Sequence, residues 1–103
     1  MVTIKFELNR ENLNKAGYTE QKIINFLRNF YVTERKAAEI GHLIFQRDDE
    51  DAMCNFGDII SVLRGNPQFM GFISKCEWDI DGEEEDILAE IKDYEKKDSW
   101  RLS

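Results

Sequence analysis

The stretch Phe69-Met70-Gly71-Phe72-Ile73-Ser74-Lys75-Cys76-Glu77-Trp78-Asp79-Ile80 decides the fold. Met70, Phe72, Ser74, Cys76, Trp78 and Ile80 alternate with Gly71, Ile73, Lys75, Glu77 and Asp79, and a period of two sends the two sets to opposite faces of a β-strand. Its aromatic content suits a half-buried pleated surface, so a strand is expected over residues 69–80. The N-terminus repeats the pattern: Val2, Ile4, Phe6 and Leu8 alternate with Thr3, Lys5, Glu7 and Asn9, which predicts a strand over residues 2–8.

The polar faces of these two strands fix how they pair. Each carries one Lys and one Glu. When paired numbers sum to 82, antiparallel pairing sets Lys5 opposite Glu77 and Glu7 opposite Lys75, with Ile4 facing Trp78 and Phe6 facing Cys76. A parallel alignment of n with n+70 would oppose Lys to Lys and Glu to Glu, which destabilises a sheet. The antiparallel register is therefore predicted. Two strands are marginal alone, so helices must cover their apolar face. Each open edge invites either a short third strand, around residues 40–46 where Ile40, His42 and Ile44 alternate, or a second copy of the chain.

Between the strands, Arg10 to Gly17 reads as a loop with at most one helical turn. Thr19 is an N-cap candidate, with Tyr18 and Ile23 placed for a hydrophobic staple and Ile23, Ile24, Leu27, Phe30 and Tyr31 forming a core stripe. The β-branched pair Val32-Thr33 interrupts it. Thr33 can cap a second helix through Ala37, Ile40, Ile44 and Phe45, the alternative being one kinked helix. A third helix is expected over about residues 50–64, ended by Gly65 at a left-handed C′ position and by Pro67. After the second strand, Asp81 with Glu84 resembles a capping arrangement for a last helix through Ile87, Leu88, Ile91 and Tyr94. Glu83 to Asp86 would then lie at its positive end and Lys92, Lys96 and Lys97 toward its negative end. Residues 98–103 fray, unless Trp100 tucks against the domain. The expected architecture is α+β: a small antiparallel two-stranded sheet (residues 2–8 and 69–80) covered by about four helices, in the order β-α-α-α-β-α.

The chain has 103 residues, 42% hydrophobic and 34% charged, which gives room for one core and excludes disordered, collagen-like and disulfide-scaffold classes. A single compact domain over residues 1–103 is expected. Even with glycine counted, no apolar run exceeds the five residues from Phe69 to Ile73, far short of the roughly 20 a spanning helix needs. No secretory leader is visible, and Cys54 and Cys76 match no zinc or redox spacing, so a cytoplasmic location with reduced, buried thiols is expected.

The net charge of −7 is uneven. Residues 1–47 carry eight Lys/Arg against five Asp/Glu, and residues 48–103 carry six against sixteen. Such a field disfavours nucleic acid and attracts basic protein surfaces. Asp48-Asp49-Glu50-Asp51 is the candidate partner-binding run, because four consecutive acids cannot all cap one helix and some must face solvent.

Catalytic signals are lacking. His42, the sole histidine, reads as a boundary residue among Ile40, Leu43 and Ile44. Asp79, Asp81 and Glu83 alternate as calcium ligands do, yet Gly82 falls at position four where the loop needs position six. The six glycines are scattered, so no phosphate loop forms, and neither cofactor nor metal is expected. The leading expectation is a non-enzymatic interaction or regulatory module that binds a basic partner. A helix-turn-helix-like DNA-associated regulator using residues 19–45, with Arg35 and Lys36 as the contact residues, is the alternative; an enzyme with an unrecognised site is a third.

Overall fold

The computed structural model describes residues 1–49 and 51–93, with the backbone alone for residues 52–55. In chain order the elements are β1 (Val2–Leu8), α1 (Arg10–Ala16), α2 (Glu20–Arg28), a π-helical turn (Asn29–Thr33), β2 (Ala38–Gly41), β3 (Ile44–Arg47), α3 (Ala52–Gly65), α4 (Pro67–Gly71), β4 (Ile73–Ile80) and β5 (Glu83–Asp86). A further helix, α5, occupies residues 87–93. The strands form one antiparallel sheet in the order β2-β3-β1-β4-β5. No helix among the described residues is long and apolar enough to cross a membrane.

The central pair forms in the expected register. Lys5 lies opposite Glu77, Glu7 opposite Lys75, Ile4 opposite Trp78 and Phe6 opposite Cys76. A bulge at Glu7/Leu8 then sets Leu8 against Ile73, skipping Ser74 and returning Ile73 to the buried side. The ion pair on this surface runs along β4, from Lys75 to Glu77 at 3.5 Å.

The sheet has five strands and not two, because residues 38–47, expected as helix with a third strand around 40–46 as the alternative, form a hairpin and residues 83–86, expected to open the last helix, form a strand. Residues 33–45 do not form a second helix. The π-helical turn ends at Thr33, the Ala37 N–H donates to Tyr31 O, and Lys36 at φ 54 turns the chain into β2. The β2–β3 turn at His42-Leu43 holds Leu43 at φ 57, a conformation costing about 1 kcal/mol outside glycine. Complete burial of the Leu43 side chain offsets that cost. Ala37, Ile40 and Ile44 satisfy helical spacing, while Ile40, His42 and Ile44 satisfy strand spacing. Tertiary pairing of β3 with β1 selects the strand reading.

The second hairpin joins β4 to β5. Asp81 and Gly82 both have positive φ, 52° and 93°, between the opposed residues Ile80 and Glu83. That is the type I′ loop favoured by an Asp-Gly dipeptide. Glu83 to Asp86 therefore form an edge strand rather than the first turn of the last helix, whose cap is instead Asp86, accepting from the Ala89 N–H at 3.1 Å.

Residues 69–72 are likewise not strand. Pro67 occupies the first turn of α4, and Asn66 caps it by accepting from the Phe69 N–H at 3.1 Å. Gly65 lies within α3 and takes no left-handed conformation. Arg10 to Ala16 form a full helix, capped by Asn9 and closed by Gly17 at φ 76. Thr19 caps α2 as expected, and the whole stripe from Ile23 to Tyr31 is buried.

The core lies between the helices and one face of the sheet. Val2, Ile4, Phe6, Phe45, Cys76 and Trp78 meet Leu13, Leu27, Tyr31, Phe56, Ile59 and Leu63, and α5 adds Ile87, Leu88 and Ile91. Tyr31 stacks on Phe45 at 5.0 Å and meets Phe56 edge-on at 5.0 Å, tying the π-helical turn to β3 and α3. The expectations for Glu50, the Cys54 side chain, Tyr94, Lys96, Lys97, Trp100 and the frayed tail lie outside the described residues.

Candidate interaction surface

The face of the sheet turned away from the helices carries the charge. Two adjacent rows cross it. One runs Ala38, Gln46, Thr3, Asp79, Glu84, and the next includes Ile44, Lys5, Glu77, Asp86. The β2–β3 side is neutral, with Gln46 Nε2 donating to Thr3 Oγ1 at 3.1 Å. The β4–β5 side is acidic, and its opposed residues have like charge: Glu77 faces Asp86, and Asp79 faces Glu84. Directly opposed side chains have Cβ atoms about 4.5–5.5 Å apart, where like charges repel, and Lys75, 3.5 Å from Glu77, offsets part of this for the Glu77–Asp86 pair. Residues 73–93 carry two lysines against nine acids, a net charge equal to that of the entire chain.

Part of this acidity is used inside the protein. Asp79 Oδ1 accepts from the Gly82 N–H at 2.7 Å and braces the hairpin turn. Glu85, on the core side of β5, accepts from Trp78 Nε1 at 2.9 Å. Glu90 on α5 has its pKa raised, by burial first and then by the neighbouring Glu85 and Asp86 carboxylates. Glu83 and Glu84 are exposed on β5, with no ion pair among the described residues.

Asp48, the first residue of the run singled out in the sequence, borders this surface at one end of the sheet. Asp48 Oδ1 lies 3.5 Å from the Met1 ammonium, to which Asp81 Oδ1 is hydrogen-bonded at 2.8 Å. The Asp81 hydrogen bond raises the ammonium pKa. Asp48 and the β4–β5 turn are thereby held together around one cation. Asp49 is ion-paired to Arg47 and accepts from the Asp51 N–H at 2.9 Å. Asp51 is exposed at the start of α3, and Glu50 lies outside the described residues. Asp48 points toward the sheet end, while Asp49 is occupied locally. Glu77, Asp79, Glu84 and Asp86 were missed as a group. The signal that finds them is Asp81-Gly82 read as a two-residue hairpin loop, which puts Glu84 opposite Asp79.

The remaining candidates have structural partners. Arg35 stacks over the Phe30 ring at 3.5 Å, donates to Phe30 O at 3.1 Å and pairs with Asp58 at 3.1 Å. It lies in an irregular segment, so the recognition helix of a helix-turn-helix is not formed there, and Lys36 is the exposed turn residue. His42 is exposed in the β2–β3 turn, beside a depression of about 370 Å³ that it shares with Lys5, Glu7, Arg10, Glu20 and Ser74. Arg10 is ion-paired with Glu20 across it. Cys76 is buried, and burial pushes its thiol pKa well up, so it stays a neutral thiol at ordinary pH. Among the described residues, no group of three or more His, Cys, Asp and Glu is placed to hold a metal ion.

Against known proteins, the chain matches no family model, no curated protein and no solved structure.

Proposed function

We propose that this protein is a non-enzymatic binding module whose acidic sheet face, extended by Asp48 at the sheet end and followed along the chain by the acidic run to Asp51, engages a basic protein surface. One observation carries the reading: Glu77 opposite Asp86 and Asp79 opposite Glu84 place like charges face to face on an open sheet. That arrangement opposes folding of the hairpin. A partner bearing Lys or Arg removes the conflict on binding, and its charge-assisted hydrogen bonds add directionality. Local conflicts of this kind concentrate where stability is given up for function. The cytoplasm, where thiols stay reduced, is the compartment we assign to it.

Glu84→Lys separates this reading from a merely solubilising charge. It converts the Asp79–Glu84 opposition into an attraction, so it should raise the melting temperature by roughly 1–4 °C. The same change should weaken binding of a Lys/Arg-rich synthetic peptide by about tenfold at low salt. Glu11→Lys on α1 alters net charge equally at a remote site and is the comparison. Equal weakening by both substitutions would show that only net charge attracts the peptide, and the face would lose its role.

A further inference from the structure

Strand β5 extends the sheet without adding to the core: Glu83, Glu84, Glu85 and Asp86 are all exposed. By contrast, β1, β3 and β4 each bury at least one side chain. What ties β5 to β4 is backbone pairing and, among the described residues, one side-chain hydrogen bond, from Trp78 Nε1 to Glu85 at 2.9 Å. The opposed acids work against these ties. Lys75 offsets part of the Glu77–Asp86 repulsion, whereas Asp79 and Glu84 face each other with no ion pair among the described residues. Few buried contacts and exposed backbone hydrogen bonds mark the segments that open locally while the rest of a protein stays folded. Both ends of β5 are anchored. Asp79 Oδ1 holds the turn through the Gly82 N–H at 2.7 Å, and Ile87, Leu88 and Ile91 fix α5 in the core. Opening is thereby confined to the strand between them.

We infer that β5 is a charge-gated edge strand: like-charge repulsion lets it detach from β4 while the rest of the sheet stays folded, and cations lying across the opposed acids dock it. The gate rests on the binding reading above for its trigger, since the partner's Lys or Arg side chains are the cations that close it. Only the docked strand gathers Glu84 and Asp86 beside Asp79 and Glu77. A polycation therefore binds the docked state more tightly than the open one, and that difference is what shifts the equilibrium between them. The charges are large enough to matter. One directly opposed pair changes pairing by up to about fivefold, so turning repulsion into attraction is worth about tenfold. Partner binding and completion of the sheet edge are thus one coupled event, and the Trp78–Glu85 hydrogen bond forms with it.

The test is amide hydrogen exchange, followed by NMR on the full chain at neutral pH and low salt. In the wild type, the β5 amides that bond to β4 should exchange at least about a hundredfold faster than the paired amides of β1. Glu84→Lys should slow them about tenfold, Glu84→Gln by an intermediate factor, and Glu11→Lys not at all. A saturating Lys/Arg-rich peptide should slow them in the wild type by about as much as Glu84→Lys does. Wild-type β5 amides protected as well as those of β1 overturn the inference, as does unchanged β5 exchange in Glu84→Lys. A peptide that binds by calorimetry without slowing β5 overturns it too. A peptide that fails to bind removes the basic-partner reading, and the slowing in Glu84→Lys then upholds the charge gate by itself.

Discussion

Tyr31 combines full burial with an unsatisfied polar atom. Its ring packs among Phe6, Phe30, Phe45 and Phe56, yet its hydroxyl finds no hydrogen-bond partner among the described residues. Burial raises the phenol pKa well above its ordinary value, so the ring enters the core protonated. An unsatisfied buried hydroxyl costs about 1–3 kcal/mol. Tyr31→Phe should accordingly leave stability unchanged or raise it by up to about 2 kcal/mol in urea denaturation. A loss above about 1 kcal/mol would mean that the hydroxyl is satisfied, for instance by an internal water. Sequence periodicity marked Tyr31 as core but could not tell whether its hydroxyl was paired, since that depends on what α3 and β4 place beside it.

At the scale of elements, β5 and α5 are joined by carboxylates. Glu85 accepts from Trp78, and Glu90 on the next helix has a raised pKa, owing first to burial and then to Glu85 and Asp86. A carboxyl whose folded pKa is raised contributes stability below its unfolded pKa, near 4.5, and loses that contribution as pH climbs through the folded value. At neutral pH the ionised Glu90 therefore works against the fold. Glu90→Gln keeps a neutral side chain able to donate to Glu85, so it should melt higher than the wild type at pH near 7. The two proteins should converge below about pH 4, where Glu90 is itself protonated. A gain that persists unchanged at the acidic end would assign the effect to packing.

Across the whole molecule, charge follows strand order. The β2–β3 side is neutral to basic, and the β4–β5 side holds opposed acids. Salt screens repulsion between exposed charges on this length scale. Raising sodium chloride from about 0.02 to about 0.5 M should increase the melting temperature, while the same salt weakens binding of the basic peptide. Stability that falls with salt would mean that attractive pairs such as Arg28–Glu39 and Arg35–Asp58 outweigh the acidic face. The two sheet edges express the same polarity: the β5 edge is a row of four acids, and the β2 edge carries one acid, Glu39, which is paired with Arg28.

The sequence by itself determined β1, the buried stripe of α2, the antiparallel partnership of β1 with β4 and its register, because alternation, capping chemistry and opposite charges act between near or directly facing residues. It also placed the acidity in the second half of the chain. Only the tertiary structure decided that residues 38–47 pair as a hairpin beside β1 and that Glu83 to Asp86 extend the sheet. Residues 38–47 satisfy a local helical pattern as well as a strand pattern, and Glu83 to Asp86 carry no apolar period of either kind. The choice rests on backbone hydrogen bonds to β1 and β4 and on burial of Leu43 and Phe45, contacts that exist only once distant parts of the chain have met.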